Sequence, residues 1–168
     1  MTGPAISIDT GAAREMWHEY AAAYPAAVAA CPEYSVEHFG DSERLADELL
    51  AHVIAGEKRA TSSLVVEYVE NDEQLLRIGS HWIACDGRGV PRVVLRTTEL
   101  RLGSFASAEA GFASDEGEDD RTLESWRREH ARYWTRVCAA MGREWSEEHD
   151  EIVFERFAVV WPPELADA

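Results

Sequence analysis

Two β-forming runs on either side of Asp86-Gly87-Arg88-Gly89 constrain this chain more than any other feature. A short glycine-bearing turn between apolar runs is the signature of a β-hairpin, which fixes two neighbouring strands as antiparallel. The first run covers Ser80–Asp86 and the second Pro91–Leu102, and the stretch Arg92 to Leu100 ends in the alternation of a half-buried strand. A further strand, Ile152–Trp161, arrives late, ahead of Pro162-Pro163. Helical patterns surround these strands. Trp17, Tyr20 and Tyr24 share a face of a helix over about 12–24, which Pro25 and the Cys31-Pro32 turn close. Leu45, Leu49 and Val53, beside Ala46, Leu50 and Ile54, make a wide apolar stripe on a second helix, capped by Asp41 or Ser42 and stopped by Gly56. A third helix over about 121–141 buries Leu123, Trp126, His130, Tyr133 or Trp134, Val137 and Met141. Residues 64–69 are apolar but too short to assign to helix or strand, and 103–120 reads as a loop with an acidic end. Helices flanking a hairpin and a late strand predict an α+β fold and not a βαβ parallel sheet.

A length of 168 residues suits a single domain that buries enough surface to need no staples. The three cysteines, Cys31, Cys85 and Cys138, are widely spaced, so buried free thiols are expected instead of a disulfide framework or a thiolate zinc site. No apolar run is long enough to span a bilayer, and Met1–Arg14 lacks the basic and apolar regions of a secretory leader, so a cytoplasmic location and no membrane partner are expected. The net charge of −16 repels polyanions at long range, so any RNA role must rest on a local basic site. No paired-histidine zinc motif, phosphate loop or Gly-x-Ser-x-Gly elbow is present, and no cofactor or metal is expected. The acidic stretch 115–120 lacks the alternating spacing of a calcium loop and reads as solvated.

Of 16 basic residues, Lys58 alone is lysine and the rest are arginine. Lysine is compact and can lose its proton when desolvated, whereas arginine is forked and always charged. A lone lysine in an arginine-rich chain is either a chance survivor or the mark of a place where arginine would not serve. It stands in Gly56-Glu57-Lys58-Arg59-Ala60-Thr61-Ser62-Ser63, just past a helix stop and before three hydroxyls. If 58–61 form a turn, the ammonium and the Thr61 hydroxyl face one space. That pairing suits nucleophilic catalysis, or the cradling of a phosphate or a nucleobase carbonyl. The alternative is a hydroxyl-rich turn with a surface lysine.

These residues, with others in order along the chain, resemble a known family. Phe39-Gly40-Asp41, Ala46 to Leu50, Ala55 to Ser63, Gly79, the Asp86-Gly87 turn, Thr97-Thr98-Glu99, Phe112-Ala113, Glu116 to Trp126, and Phe154 to Phe157 are similar to the ASCH (activating-signal-cointegrator homology) superfamily, in its bacterial stand-alone YhfF-like branch. The resemblance covers residues 15–162, leaving 1–14 as a flexible N-terminus and 163–168 as a tail. It implies a small PUA-like β-barrel with flanking helices and a cleft for a nucleoside or single-stranded RNA. It also implies one of three activities: hydrolysis of N4-acylated cytidine, ribonuclease action on single-stranded RNA, or non-catalytic RNA binding. For the hydrolase, the family's catalytic set falls on Lys58, Thr61 and Glu118, with Glu116 and Asp119 as rivals for the acid. Thr61 would attack the amide carbonyl, Lys58 would activate it or hold the oxyanion, and Glu118 would orient Lys58 or carry a proton. A close carboxylate favours the charged lysine, hence a clamp over a base. For the binding module, Arg59, Ser62 and Ser63 would hold phosphate or base, and Tyr68 would stack.

Overall fold

The computed structural model describes residues 5–168. Residues 1–4 of the expected flexible segment 1–14 lie outside the described residues. In chain order the elements are α1 (Thr10–Ala23), α2 (Pro25–Ala30), β1 (Tyr34–His38), α3 (Glu43–Ile54), β2 (Ala60–Leu64), α4 (Val65–Glu70), β3 (His81–Cys85), β4 (Pro91–Gly103), a 3-10 turn at Phe105–Ser107, α5 (Ala110–Glu116), α6 (Leu123–Ala140) and β5 (Ile152–Trp161). The mixed α+β class is as expected. The strands join in one sheet in the order β1-β3-β4-β5-β2. The hairpin partners β3 and β4 are antiparallel, as are β2 and β5, while β1 pairs β3 in parallel.

Local chemistry explains most of the boundaries. Ser42 caps α3 by accepting from the Leu45 amide at 3.1 Å, and Gly56, at φ 85°, turns the chain out of that helix. Thr122 caps α6 by accepting from the Ser125 amide at 3.1 Å. The undecided stretch 64–69 is almost wholly helix, while the segment from Ala60, where the expectation is a turn over 58–61, is a strand. Residues 60–64 are a strand and 65–70 a helix, with the Glu67 carboxylate accepting from the Leu64 amide at 2.8 Å to begin the helix. Three more elements go beyond the expectation: α2 is a six-residue helix between Pro25 and the Cys31-Pro32 turn, β1 is a five-residue strand, and α5 lies inside the expected 103–120 loop.

The chain divides into two compact units, one of residues 1–56, 77–98 and 157–168, the other of residues 57–76 and 99–156. In the first, Phe39, Leu50, Val53, Trp82, Val93, Leu95 and Phe157 form one apolar cluster, and Trp17, Tyr20, Ile83 and Val94 belong to another. The Asp47 carboxylate accepts from the Gly87 amide at 2.7 Å and so ties the hairpin turn to α3. In the second unit, Leu64, Phe105, Phe112, Trp126, Trp134, Cys138, Ile152 and Phe154 form the core. Trp17, Trp126 and Trp134 are buried, as their helical spacing predicts, and all three cysteines are buried and free.

Candidate functional site

Every residue singled out in 58–68, and Glu118, lies in the second unit. The site starts at the C-terminus of α5, where the last carbonyls of a helix lack intrahelical partners. The segment before β2 supplies donors for them. The Arg59 amide donates to the Asp115 carbonyl at 2.7 Å, and the Lys58 ammonium donates to the Glu116 carbonyl at 3.2 Å. Gly117 ends α5 with φ 68° and backs against this segment, so that a Cβ there would stand 2.3 Å from the Glu57 carbonyl oxygen. Only glycine fits both the left-handed backbone and the close approach. The next residue, Glu118, is thereby brought back over Lys58.

Lys58 is fully buried. Its Nζ donates to the Ala60 carbonyl at 2.8 Å, the Glu116 carbonyl at 3.2 Å and Glu118 Oε1 at 2.8 Å. Three acceptors meet three N–H bonds, a tripod that an ammonium satisfies and a flat guanidinium does not. This is the physical reason for a lysine here in a chain that elsewhere uses arginine, and the surface-lysine alternative is set aside. The Glu116 carboxylate stands 3.6 Å from Nζ as a second ion-pair partner. Burial alone would push the Lys58 ammonium down, but the charges of Glu118 and Glu116 outweigh it and hold it above its ordinary value. Lys58 is thus a charged, fully hydrogen-bonded ammonium, suited to fix a carboxylate and unsuited to accept a proton.

Glu116 is the centre of the site, although the sequence offered it only as a rival to Glu118. Its buried carboxylate accepts from Trp126 Nε1, from Ser62 Oγ at 3.0 Å and from His130 Nε2 at 3.2 Å. The other ring nitrogen of His130 lies 2.8 Å from the Trp126 carbonyl, which can only accept. Both ring nitrogens therefore carry hydrogen, and we assign His130 as an imidazolium from its partners. Burial raises the Glu116 carboxyl, yet the charges of His130 and Lys58 and the hydrogen bonds from His130 and Trp126 overcome it and hold the group well below its usual range. Burial likewise disfavours charge on His130, and Glu116 reverses that and raises it. Two cations and two carboxylates thus balance in a site walled by the Trp126 ring, which stacks on the His130 ring at 4.2 Å. The periodicity of α6 had placed Trp126 and His130 on its buried side. Nothing in the sequence reveals that they meet Glu116.

Glu116, Glu118 and His130 offer donor atoms within 4.8 Å of one another, a possible ligand set for a divalent ion. The residues fit such an ion poorly, because it would have to strip the proton from His130 and displace the Lys58 ammonium.

The remaining predicted residues separate into two groups. On β2, Ser62 points with Ala60 and Leu64 toward the core face, opposite Phe154 of β5. Strand alternation puts Thr61 and Ser63 on the other face. Thr61 pairs across the sheet with Glu155, and among the described residues its half-buried hydroxyl makes no hydrogen bond. Ser63 Oγ lies 3.1 Å from the Tyr68 hydroxyl. Arg59 donates from Nη1 to the Lys58 carbonyl at 2.7 Å. Thr61 is therefore strand, not turn, and no hydrogen bond joins it to Lys58 or Glu118. Asp119 takes a left-handed backbone at φ 49° and is not part of the ion-pair cluster.

The family model of the ASCH domain matches residues 35–161. The chain belongs to the ASCH domain family. Two solved structures agree with this membership. One is an ASCH domain from Lactobacillus crispatus JV V101, similar at 23% identity with a TM-score of 0.82, over 96% of this chain and all (100%) of that one. The other is protein EF3133 from Enterococcus faecalis V583, similar at 26% identity with a TM-score of 0.79, over 90% of this chain and 89% of that one. No curated protein matches the chain. The ASCH fold is thus that of the α+β, PUA-like expectation, and at the family level it supports an RNA-binding module. No helix among the described residues is long and apolar enough to cross a membrane.

Proposed function

We propose that this ASCH domain binds a nucleoside, free or within single-stranded RNA, with Glu118 as the group that reads the base. The observation that carries the reading is the division of labour around Lys58. The ammonium spends its three protons on fixed acceptors, whereas the Glu118 side chain, held by one of them, remains 23% exposed. A carboxylate fixed in this way is a preorganised acceptor for an exocyclic amino or amide N–H, such as that on N4 of cytosine. Tyr68 offers a ring for stacking; Arg59 precedes β2, Ser63 lies on it beside the Tyr68 hydroxyl, and Ser62 holds Glu116 from the core face.

A second reading, hydrolysis of an N4-acylated cytidine, is favoured by the Thr61 hydroxyl, which has no protein partner among the described residues to hold it. Thr61 Oγ1 adds to the acyl carbon and gives its proton to Glu118. The C–N bond breaks and the proton passes to the leaving amine. Water then cleaves the threonyl ester and releases the carboxylic acid. Lys58 stays protonated throughout and supplies a fixed positive charge. Ribonuclease action has no separate support.

The test is calorimetric titration of wild type, Glu118→Gln and Thr61→Ala with cytidine and N4-acetylcytidine, with products followed by mass spectrometry. Glu118→Gln should bind about tenfold more weakly, a loss of ~1.4 kcal/mol as expected for a charge-assisted hydrogen bond. Unchanged affinity in Glu118→Gln refutes the binding reading. Turnover that is absent in wild type, or that persists in Thr61→Ala, refutes the hydrolytic one.

A further inference from the structure

Most arginines that make ion pairs in this acidic chain do so with nearby carboxylates, among them Arg44 with Glu48, Arg77 with Glu33, Arg143 with Asp150, and Arg156 with Glu99 and Asp115. Arg101 and Arg127, exposed arginines of the second unit, make no ion pair among the described residues and are held at the same short loop; Arg121, likewise without an ion pair, donates instead to the Ser114 carbonyl at 2.9 Å. Arg101, on β4, donates from Nη1 to Ser107 Oγ at 2.9 Å and from Nη2 to the Ser107 carbonyl at 3.2 Å. Arg127, on α6, donates from Nη2 to the adjacent Ala106 carbonyl at 3.4 Å. Neither has a carboxylate within ion-pair distance among the described residues. Glu124, one turn before Arg127 on α6, is also beyond that distance.

The placement of Arg101 is built in. Its guanidinium lies over the Phe154 ring, 4.1 Å from the centroid. It folds back across Gly103, where a Cβ would stand 2.6 Å from Ser107 Oγ and 2.7 Å from Arg101 Nη1. Glycine leaves the space that this guanidinium fills. Ser107 Oγ is in turn fixed on the Ser104 carbonyl at 2.6 Å. Two guanidinium groups are thus held at the consecutive carbonyls of Ala106 and Ser107. Guanidinium groups with free N–H bonds recognise phosphate oxygens in particular. Two core residues connect the spot to the cluster around Glu116. Phe154, under Arg101, is the cross-strand partner of Ser62, and Trp126, next to Arg127, donates to Glu116.

We infer that Arg101 and Arg127 form a phosphate site that takes an internucleotide phosphodiester of a single-stranded RNA whose base is read at Glu118. This assignment rests on the nucleoside-binding reading above. It answers the difficulty raised by the net charge of −16. The overall field repels a polyanion, so contact with the backbone must be confined to a local cationic spot, and this loop supplies one.

The test uses fluorescence anisotropy with a labelled short single-stranded RNA over a range of salt concentrations. Cytidine and cytidine 5′-monophosphate are titrated in parallel. The variants are Arg101→Gln, Arg127→Gln, the double variant and Gly103→Ala, each checked for fold by circular dichroism. Each arginine substitution should weaken RNA binding about tenfold. The double variant should flatten the slope of log K against log salt by about 0.7, the loss of one phosphate contact on a single strand. Gly103→Ala, which keeps both charges, should reproduce the Arg101→Gln loss by displacing the guanidinium. Cytidine affinity should not change in any of them. RNA affinity and slope that stay the same in the double variant overturn the inference, and so does a parallel loss of cytidine binding, which would mark a structural role. If cytidine 5′-monophosphate alone captures the whole gain, the site takes a terminal phosphate and the internucleotide assignment fails. Wild type that binds cytidine but not RNA overturns the phosphate site and leaves the nucleoside reading intact. Failure to bind either ligand removes both.

Discussion

Replacing Lys58 with methionine tests the site most directly, because it keeps the buried stem and removes the charge. Three hydrogen bonds are lost, two of them to carbonyls and one to Glu118, together with the ion pair to Glu116. Removing one partner of a buried ion pair costs ~3–5 kcal/mol, since the other charge is left uncompensated. Glu118 can recover water through its 23% exposed side chain, whereas Glu116, at 2%, cannot, but it keeps His130. The low end, ~3 kcal/mol, is therefore expected, a large part of the ~5–15 kcal/mol that holds a domain folded. With a urea m-value of ~2 kcal/mol/M, the unfolding midpoint at pH 7 should fall by about 1.5 M, read by tryptophan fluorescence. Lys58→Met combined with Glu116→Gln should cost less than the sum of the single changes, because the charge left behind is removed as well. Acid supplies a second signature. Glu116 is depressed from its ordinary 4.5 to about 2. A depressed carboxyl stabilises the fold above its unfolded value, and that contribution, ~3 kcal/mol for this group, is lost as pH falls from about 4.5 toward 2. Lys58→Met removes one of the charges that depress Glu116, so its acid loss should begin at higher pH than in wild type. A midpoint shift below about 0.3 M, with an unchanged acid limb, would refute the idea that the cluster depends on a buried ammonium.

Two further outcomes follow from the same cluster. His130 is raised above its ordinary 6.5, so its stabilisation is complete below that value and fades as pH rises through the folded pKa. Thermal unfolding of wild type should show this alkaline loss, and His130→Asn, less stable at pH 6, should lack it; identical pH profiles would contradict the imidazolium assignment. Trp126 donates its indole N–H to Glu116, whereas the buried Trp134 Nε1 has no partner among the described residues. Trp126→Phe should therefore cost ~1–2 kcal/mol more in urea unfolding than Trp134→Phe, because only the first strands an acceptor; the reverse order would count against the assigned donor.

Much of the architecture could be read from residue patterns because it depends on local rules. The Asp86-Gly87-Arg88-Gly89 turn, the Ser42 cap, the Gly56 stop and the apolar side of α6 are set by side chains within a few residues, and each stands where its spacing placed it. Composition singled out Lys58, since a lone lysine among arginines signals a need for ammonium geometry. Other features depend on partners far along the chain. β1, Tyr34–His38, carries little alternation of its own and becomes a strand by pairing with His81–Cys85. α5 hides in an acidic stretch because its buried glutamate looks solvated until Lys58 and His130 are brought to it from 58 residues before and 14 after. The two compact units interleave along the sequence, so no shift in composition marks them. Sequence alone determined the family resemblance, the hairpin, the capped helices and the importance of Lys58. Tertiary structure decided that Glu116 is the buried centre, that Lys58 stays charged, and that Thr61 lies on the other face of β2. Burial and charge pairing are properties of neighbours in space, and neighbours in sequence do not report them.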